Sequence, residues 1–195
     1  NLLEMCNSHE YATMMLEANP EAYRSIFEKS VAEFGGNMEN LQFNADTNWY
    51  DELLRTAMMT NHSLNISGGT EKATYSAGMS YLAQDGIMDV ENYYRRLNFR
   101  AALDYEARKW LKVGFNGVFS NSQQQLPKNA AWQQAYNTPS IIPVYDDRRD
   151  DAVFPKKYTS PEQVGLTNNF NNPVATANYY DNRNETYQVL TNFYA

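Results

Sequence analysis

Hydrophobic positions in the N-terminal part of the chain recur with a helical period. Asn19, Pro20 and Glu21 read as an N-cap followed by proline at the first helical position. Tyr23, Ile26, Phe27, Val31 and Phe34 then form one apolar stripe, which Gly35 and Gly36 end. The pattern predicts an amphipathic helix. A shorter helix is predicted around Tyr11 to Glu17, and a third, capped by Asp46 or Thr47, through Trp49, Leu53 and Ala57. From His62 onward the period becomes two. Leu64 and Ile66 alternate with Asn65 and Ser67, and Tyr75, Ala77, Met79 and Tyr81 alternate with Ser76, Gly78 and Ser80. Leu97, Phe99, Ala101, Leu103 and Tyr105 alternate with Arg96, Asn98, Arg100, Ala102 and Asp104. Leu111, Val113, Phe115 and Phe119 alternate with Lys112, Gly114, Asn116 and Ser120, and a last run holds Tyr187, Val189, Thr191 and Phe193. Such alternation predicts strands with one apolar face.

The connections between these runs alternate in length. Gly68 to Lys72 and Glu106 to Lys109 leave room only for tight turns, whereas Gln84 to Asn92 and Gln123 to Glu185 are longer excursions. Tight turns at one end of a sheet and long loops at the other are the layout of an outer-membrane β-barrel. The polar side of the strands fits that layout, because it is built of Ser, Gly and Asn rather than the Lys and Glu that a water-facing sheet collects. On this reading Arg96, Asn98 and Arg100 face a lumen, and Leu97, Phe99, Leu103, Val113, Phe115 and Phe119 face lipid. A solvated sheet bearing ordinary surface arginines is the competing interpretation. Five strands cannot close a membrane barrel, the smallest having 8, so the barrel reading requires further strands and predicts that this chain is a fragment.

Composition narrows the chemistry. The chain has 195 residues, 43% of them hydrophobic and 20% charged, so it has the material for a core. Its net charge of −7 argues against a nucleic-acid partner, which calls for clustered Lys and Arg. One cysteine and two histidines give no zinc spacing, and Cys6 reads as a small buried hydrophobe. No apolar run approaches the ~20 residues of a transmembrane helix, a criterion that does not apply to spanning strands.

Two stretches of the long segment before the last strand carry candidate chemistry. Trp132, Tyr136, Tyr145, Tyr158, Tyr179 and Tyr180 are interleaved with Asn129, Gln133, Gln134, Asn137, Asn168, Asn169, Asn171 and Asn172. Flat apolar rings with neighbouring amides suit sugar recognition, making Trp132, Tyr136, Tyr145, Tyr179 and Tyr180 candidate ligand-binding residues. The same aromatics also suit a small core within the segment, a contact with a partner protein, or a membrane-interface girdle. The run Asp146, Asp147, Arg148, Arg149, Asp150, Asp151 lacks the glycine and terminal glutamate of a calcium loop, and reads as a charge-paired turn rather than a metal site. No nucleophile triad or phosphate-binding glycine loop is present, and neither catalysis nor a cofactor is expected.

One resemblance ties these features together. Asp46 to Trp49 with Asp51 and Glu52, Asn61-His62, Ser67-Gly68-Gly69, Tyr81-Leu82 with Gln84-Asp85-Gly86-Ile87, and Lys109-Trp110-Leu111-Lys112-Val113-Gly114 occur in this order. They continue through Pro139-Ser140-Ile141-Ile142-Pro143-Val144-Tyr145 and Asn172-Pro173, and are preceded by LLEMCNSHEYATMM. In that order and spacing the chain resembles the SusC/RagA-like TonB-linked outer-membrane transporters of Bacteroidetes.

The resemblance implies a 22-stranded transmembrane antiparallel barrel plugged by an N-terminal domain. Such a protein imports oligosaccharides or peptides with energy from the TonB complex, beneath a SusD-like surface lipoprotein. Within that scheme, residues 1–60 form a helical extracellular loop after the first barrel strand, and residues 61–121 form four antiparallel strands with short periplasmic turns. Residues 122–185 form a long extracellular loop, and residues 186–195 begin the next strand. A TonB box and a plug are not found here, so energy coupling is assigned to no residue. The alternative class is a soluble aromatic-rich β domain that binds glycans, in which the apolar strand face would be the interior of a sandwich.

Overall fold

A computed structural model describes residues 4–148, 157–167 and 170–195, which form two compact units. One unit is mainly helical and draws on residues up to Arg55, on Met88–Val90 and on Pro127–Tyr180; the other is a sheet built from Thr56–Ile87, Glu91–Leu126 and Asp181–Ala195.

In the helical unit, α1 (Ser8–Ala18) and α2 (Pro20–Phe34) are separated by Asn19, whose backbone N–H closes α1 on Met15 O while its side chain accepts from Ala22 N at 3.1 Å. One asparagine thus ends one helix and starts the next. Asn7 and Glu10 form a reciprocal capping box at the start of α1. Cys6, just outside that cap, is exposed rather than buried, because it precedes the first turn whose apolar face packs inward. A two-residue ladder, β1 (Gly36–Asn37) with β2 (Gln42–Phe43), follows α2.

The third helix departs from expectation. It is short, α3 (Trp49–Leu53), and Asn48 rather than Asp46 or Thr47 caps it. Asp46 instead accepts from Ser8 N at 2.6 Å, and the Thr47 hydroxyl donates to Ile142 O at 2.6 Å. Both side chains are engaged by distant backbone and are not free to cap. The helix stops before Ala57 because Leu54 turns extended and bridges Met88.

Pro139 to Val144 thread through the core of this unit, and burying a non-helical backbone requires partners for its carbonyls. They come from the N-terminal segment: Trp49 Nε1 donates to Pro139 O at 3.0 Å, Ser30 Oγ to Ile141 O at 2.8 Å, and Thr47 to Ile142 O. Phe27, Trp49, Leu53, Ile141, Ile142 and Val164 are fully buried around them, with Phe27 ringed by Tyr11, Tyr23 and Phe43. Burial, with Tyr23 alongside, pushes the Tyr11 hydroxyl up to about 12. The unit is completed by α4 (Asn129–Asn137), a 3-10 turn at Pro161–Val164 and α5 (Pro173–Asn178). Buried Asn172 caps α5 by accepting from Val174 N and Ala175 N, and donates to Val144 O and Thr159 O.

The second unit is one five-stranded antiparallel meander in chain order: β3 (Met59–Gly69), β4 (Ala73–Asp85), β5 (Tyr93–Arg108), β6 (Leu111–Gln125) and β7 (Arg183–Tyr194). The sheet is open, with β3 and β7 as its edges. Its first strand begins before His62. The turn predicted over Glu106 to Lys109 is tighter, only Lys109 and Trp110, because β5 continues to Arg108 through a bulge between Glu106 and Arg108. Both tight turns lie at the same end of the meander, since each closes an upward and downward pair.

Candidate functional site

Register, more than composition, gives the sheet its chemistry. Leu64, Met79, Phe99, Phe119 and Val189 are partners in one row across all five strands. The row of Tyr75, Leu103, Phe115 and Phe193 lies on the same face, with the Phe115 and Phe193 rings 4.9 Å apart, and Tyr105 pairs with Val113 one row further. Polar groups return beyond the row of Tyr81, Leu97, Asn121 and Tyr187: the next holds Arg95, Gln123 and Glu185, joined by a 2.8 Å bond from Gln123 Nε2 to Glu185. From Leu97 to Tyr105 the apolar rows extend roughly 27 Å along the strand, or about 20 Å normal to a bilayer at barrel tilt, comparable to the ~25 Å apolar band of outer-membrane barrels. Their side chains stand open, Val189 67% and Phe193 73% exposed, where water-facing sheets place polar groups.

The other face is polar and internally bonded. Ser80, Asn98 and Ser120 are register partners. Asn98 Nδ2 donates to Ser80 Oγ at 3.1 Å, and Asn98 Oδ1 accepts from Ser120 Oγ at 2.9 Å and from Arg96 Nε at 2.8 Å. Arg100 reaches across β4 to donate to Asn65 Oδ1 at 2.7 Å. It can do so because Gly78 lies beneath it: a Cβ there would sit 2.5 Å from Asn65 Oδ1 and 2.7 Å from Arg100 Nε. Gly114 plays the same part for Tyr194, whose ring crosses it to donate to Asp104. These glycines clear paths for long side chains lying flat on the face.

All six apolar candidates, Leu97, Phe99, Leu103, Val113, Phe115 and Phe119, therefore share one face, and Arg96, Asn98 and Arg100 share the opposite one. Periodicity did not pick out Asn65, Ser80 and Ser120 as partners of the arginines; Gly78 in mid-strand was a readable signal of a close approach, but not of which side chain makes it. Val118 and Leu190, paired in register beside Arg100, are apolar residues on the polar face.

The loop aromatics divide into separate groups. Trp132 packs edge-on against Tyr50, ring centres 5.1 Å apart, and Tyr136 also borders Tyr50, whose hydroxyl pKa is raised first by burial and then by Tyr136. Tyr145 stacks on Tyr158 at 5.2 Å, and Tyr179 meets Tyr158 edge-on at 5.7 Å. Burial, then the two neighbouring tyrosines, raises the Tyr158 pKa. Tyr180 lies under the Lys128 ammonium. Asn168 and Asn169 lie outside the described residues, and Asn172 spends its amide on the bonds given above.

Of the acidic run, Arg149, Asp150 and Asp151 also lie outside the described residues. Asp146, 6% exposed, accepts from Arg148 Nε at 2.9 Å and Nη2 at 3.1 Å, from Arg148 N and from Gln163. Chiefly the Arg148 side-chain bonds hold its carboxyl down at about 2, with burial opposing. Arg148 also pairs with Glu33 at 3.3 Å. Among the described residues no group of three or more His, Cys, Asp or Glu gathers at a metal site, and no helix is long and apolar enough to cross a membrane.

No family model matches the chain. Curated proteins do: it is 29% identical over 133 residues to the TonB-dependent receptor SusC of Bacteroides thetaiotaomicron, covering 66% of this chain and 13% of that protein. It is 28% identical to the TonB-dependent receptor P26 of Formosa agariphila, over 76% of this chain and 14% of the relative, and 27% identical to TonB-dependent receptor P3 of the same organism, over 60% and 10%. The chain is similar to TonB-dependent receptors. It spans between 10% and 14% of the length of these relatives, and the similarity points to the receptors broadly rather than to the SusC/RagA-like branch in particular.

Proposed function

We propose that this chain is a sector of a SusC/RagA-like, TonB-dependent importer in the outer membrane. The open apolar face, in register across five strands and edged by tyrosines, carries the reading. Leu97, Phe99, Leu103, Val113, Phe115 and Phe119 contact lipid, while Arg96, Asn98 and Arg100 face the interior of a 22-stranded barrel closed by strands beyond β3 and β7. Unpaired strand edges in hydrocarbon cost several kcal/mol per group, so closure is obligatory. The helical unit lies on the extracellular side, where Trp132, Tyr136, Tyr145, Tyr179 and Tyr180 meet an oligosaccharide or peptide cargo or a SusD-like lipoprotein. Energy comes from the TonB complex, and the role is transport rather than catalysis.

The test is fractionation of native material. A species of roughly 100 kDa, by analogy with plugged barrels of this strand number, that sediments with outer membranes, needs detergent and co-purifies with a lipidated subunit is the expected result. A detergent-free, monodisperse β protein near 22.4 kDa would sink the proposal in favour of a soluble module.

A further inference from the structure

We propose that the tight-turn end of the apolar sheet face binds the headgroup of an anionic phospholipid, with Arg108, Lys109 and Lys72 supplying the positive charge and Trp110 fixing the depth in the membrane. The inference rests on the importer reading, in which this face meets lipid and its tight turns are periplasmic.

The bulge in β5 is the first observation. By simple alternation Arg108 would share the polar face with Arg96, Asn98 and Arg100. The bulge between Glu106 and Arg108 changes its side, because it makes Arg108 the register partner of Leu111, which shares a face with Val113 and Phe115. Register partners across an antiparallel pair stand on the same side of the sheet. Lys112, paired with Glu106, stays on the polar face. One extra residue thus sets a guanidinium just past the last apolar row, that of Tyr105 and Val113. Leu111 lies two residues beyond Val113, which is ~7 Å along a strand, or ~5 Å normal to a bilayer at barrel tilt. A headgroup layer is about 5–7 Å deep, so Arg108 lies at the level of the lipid phosphates.

The charge balance is the second. Lys109 follows Arg108 in the turn, and a 2.8 Å bond from Glu106 N to Lys72 O brings the other tight turn alongside. Lys72, Arg108 and Lys109 are exposed, and among the described residues none of them forms an ion pair. Of the acids nearby, Glu106 pairs in register with Lys112 on the other face, which leaves Glu71 against three cations in a chain of net charge −7. The opposite end of the same face is satisfied within itself. There Arg95 lies over the Tyr93 ring at 4.7 Å, and Glu185 accepts from Asn121, Gln123 and Tyr187.

The third observation selects a lipid over a soluble acidic partner. Tyr105 and Val113 adjoin the cations directly, and Trp110, 81% exposed, stands in the turn between them and water. An occupant that satisfies both parts carries an anionic group on an apolar tail. A guanidinium offers paired donors to a phosphodiester, and an indole, apolar with one N–H, suits the boundary between acyl chains and water.

Ala107, beside Arg108 in the bulge, is the probe position, and Phe119, within the apolar rows, is its control. A photo-crosslinking amino acid is placed at each in the full-length protein, reconstituted into vesicles of about four parts phosphatidylethanolamine to one part phosphatidylglycerol, and the adducts are identified by mass spectrometry. At Ala107 phosphatidylglycerol adducts should exceed their proportion in the bilayer about fivefold. The excess should vanish in Arg108→Gln/Lys109→Gln and persist in Arg108→Lys. Phe119 should label both lipids in bilayer proportion in every variant, which checks the fold. Adducts at Ala107 in bilayer proportion, or an excess undiminished in the double variant, overturn the headgroup site and leave the importer reading standing. So does a probe at Ala107 that, in native outer membranes, labels a protein and no lipid. Absence of lipid labelling at Phe119 in the unaltered background overturns the importer reading and the inference with it.

Discussion

Replacing Phe99 by arginine puts a guanidinium into the apolar face one row from its middle, on the central strand of the five, with Met79 and Phe119 on either side. At the bilayer midplane that substitution costs about 2–4 kcal/mol, falling to about 0–1 near the interfaces. Tyr105→Arg, in the last apolar row at the tight-turn end of the same strand, should therefore cost clearly less. Asn98→Arg, one residue from Phe99 but on the polar face, escapes the lipid penalty altogether. In water the ordering would collapse, because Phe99 is already 48% exposed and an arginine there is tolerated within ~0.5 kcal/mol. The assay is folding of the full-length protein into phospholipid vesicles across a denaturant series, read by heat-modifiable gel mobility. A cost of 2–4 kcal/mol is roughly a 30- to 700-fold shift in the folding equilibrium. Equal and negligible effects for Phe99→Arg and Tyr105→Arg would refute the lipid-facing assignment.

Other expectations concern single contacts. Asn172→Ala removes a helix cap and leaves the buried Val144 and Thr159 carbonyls without their side-chain donor; a loss of about 2–4 kcal/mol should appear as faster hydrogen exchange in residues 138–146 and 157–178, and unchanged exchange would contradict it. The depressed Asp146 carboxyl stabilises the helical unit above its unfolded value near 4, and that contribution disappears as pH falls toward about 2. Proteolysis of the 127–180 segment should accelerate over that window, and Asp146→Asn should flatten the dependence. Gly78→Ala forces Arg100 off Asn65 and should cost about 1–2 kcal/mol, whereas Ser76→Ala, one same-face step along β4, should be near neutral; equal effects would show that the crossing path of Arg100 is not the reason for the glycine.

The sequence alone determined the two textures of the chain. A 3.6-residue stripe with Asn19 and Pro20 before it and Gly35 after it can only bury one side as a helix, and α2 occupies that span. A two-residue alternation must put Leu97, Phe99 and Leu103 on one face and Arg96, Asn98 and Arg100 on the other, whatever surrounds them. These features follow from the geometry of a single element, so local spacing is enough to read them. Tertiary structure decided what no local pattern encodes. Thr47 could not be read as a partner of Ile142, and so lost to Asn48 as the helix cap, because the two residues are 95 positions apart. The loop tyrosines could not be divided between Tyr50 and Tyr158 until the fold brought Tyr50 beside α4. Register set Arg100 opposite Gly78 and within reach of Asn65, two strands away. A strand's alternation fixes which way its side chains point, but which neighbours they meet depends on how far each strand slides along the next, and that is decided only when turns, bulges and packing act together.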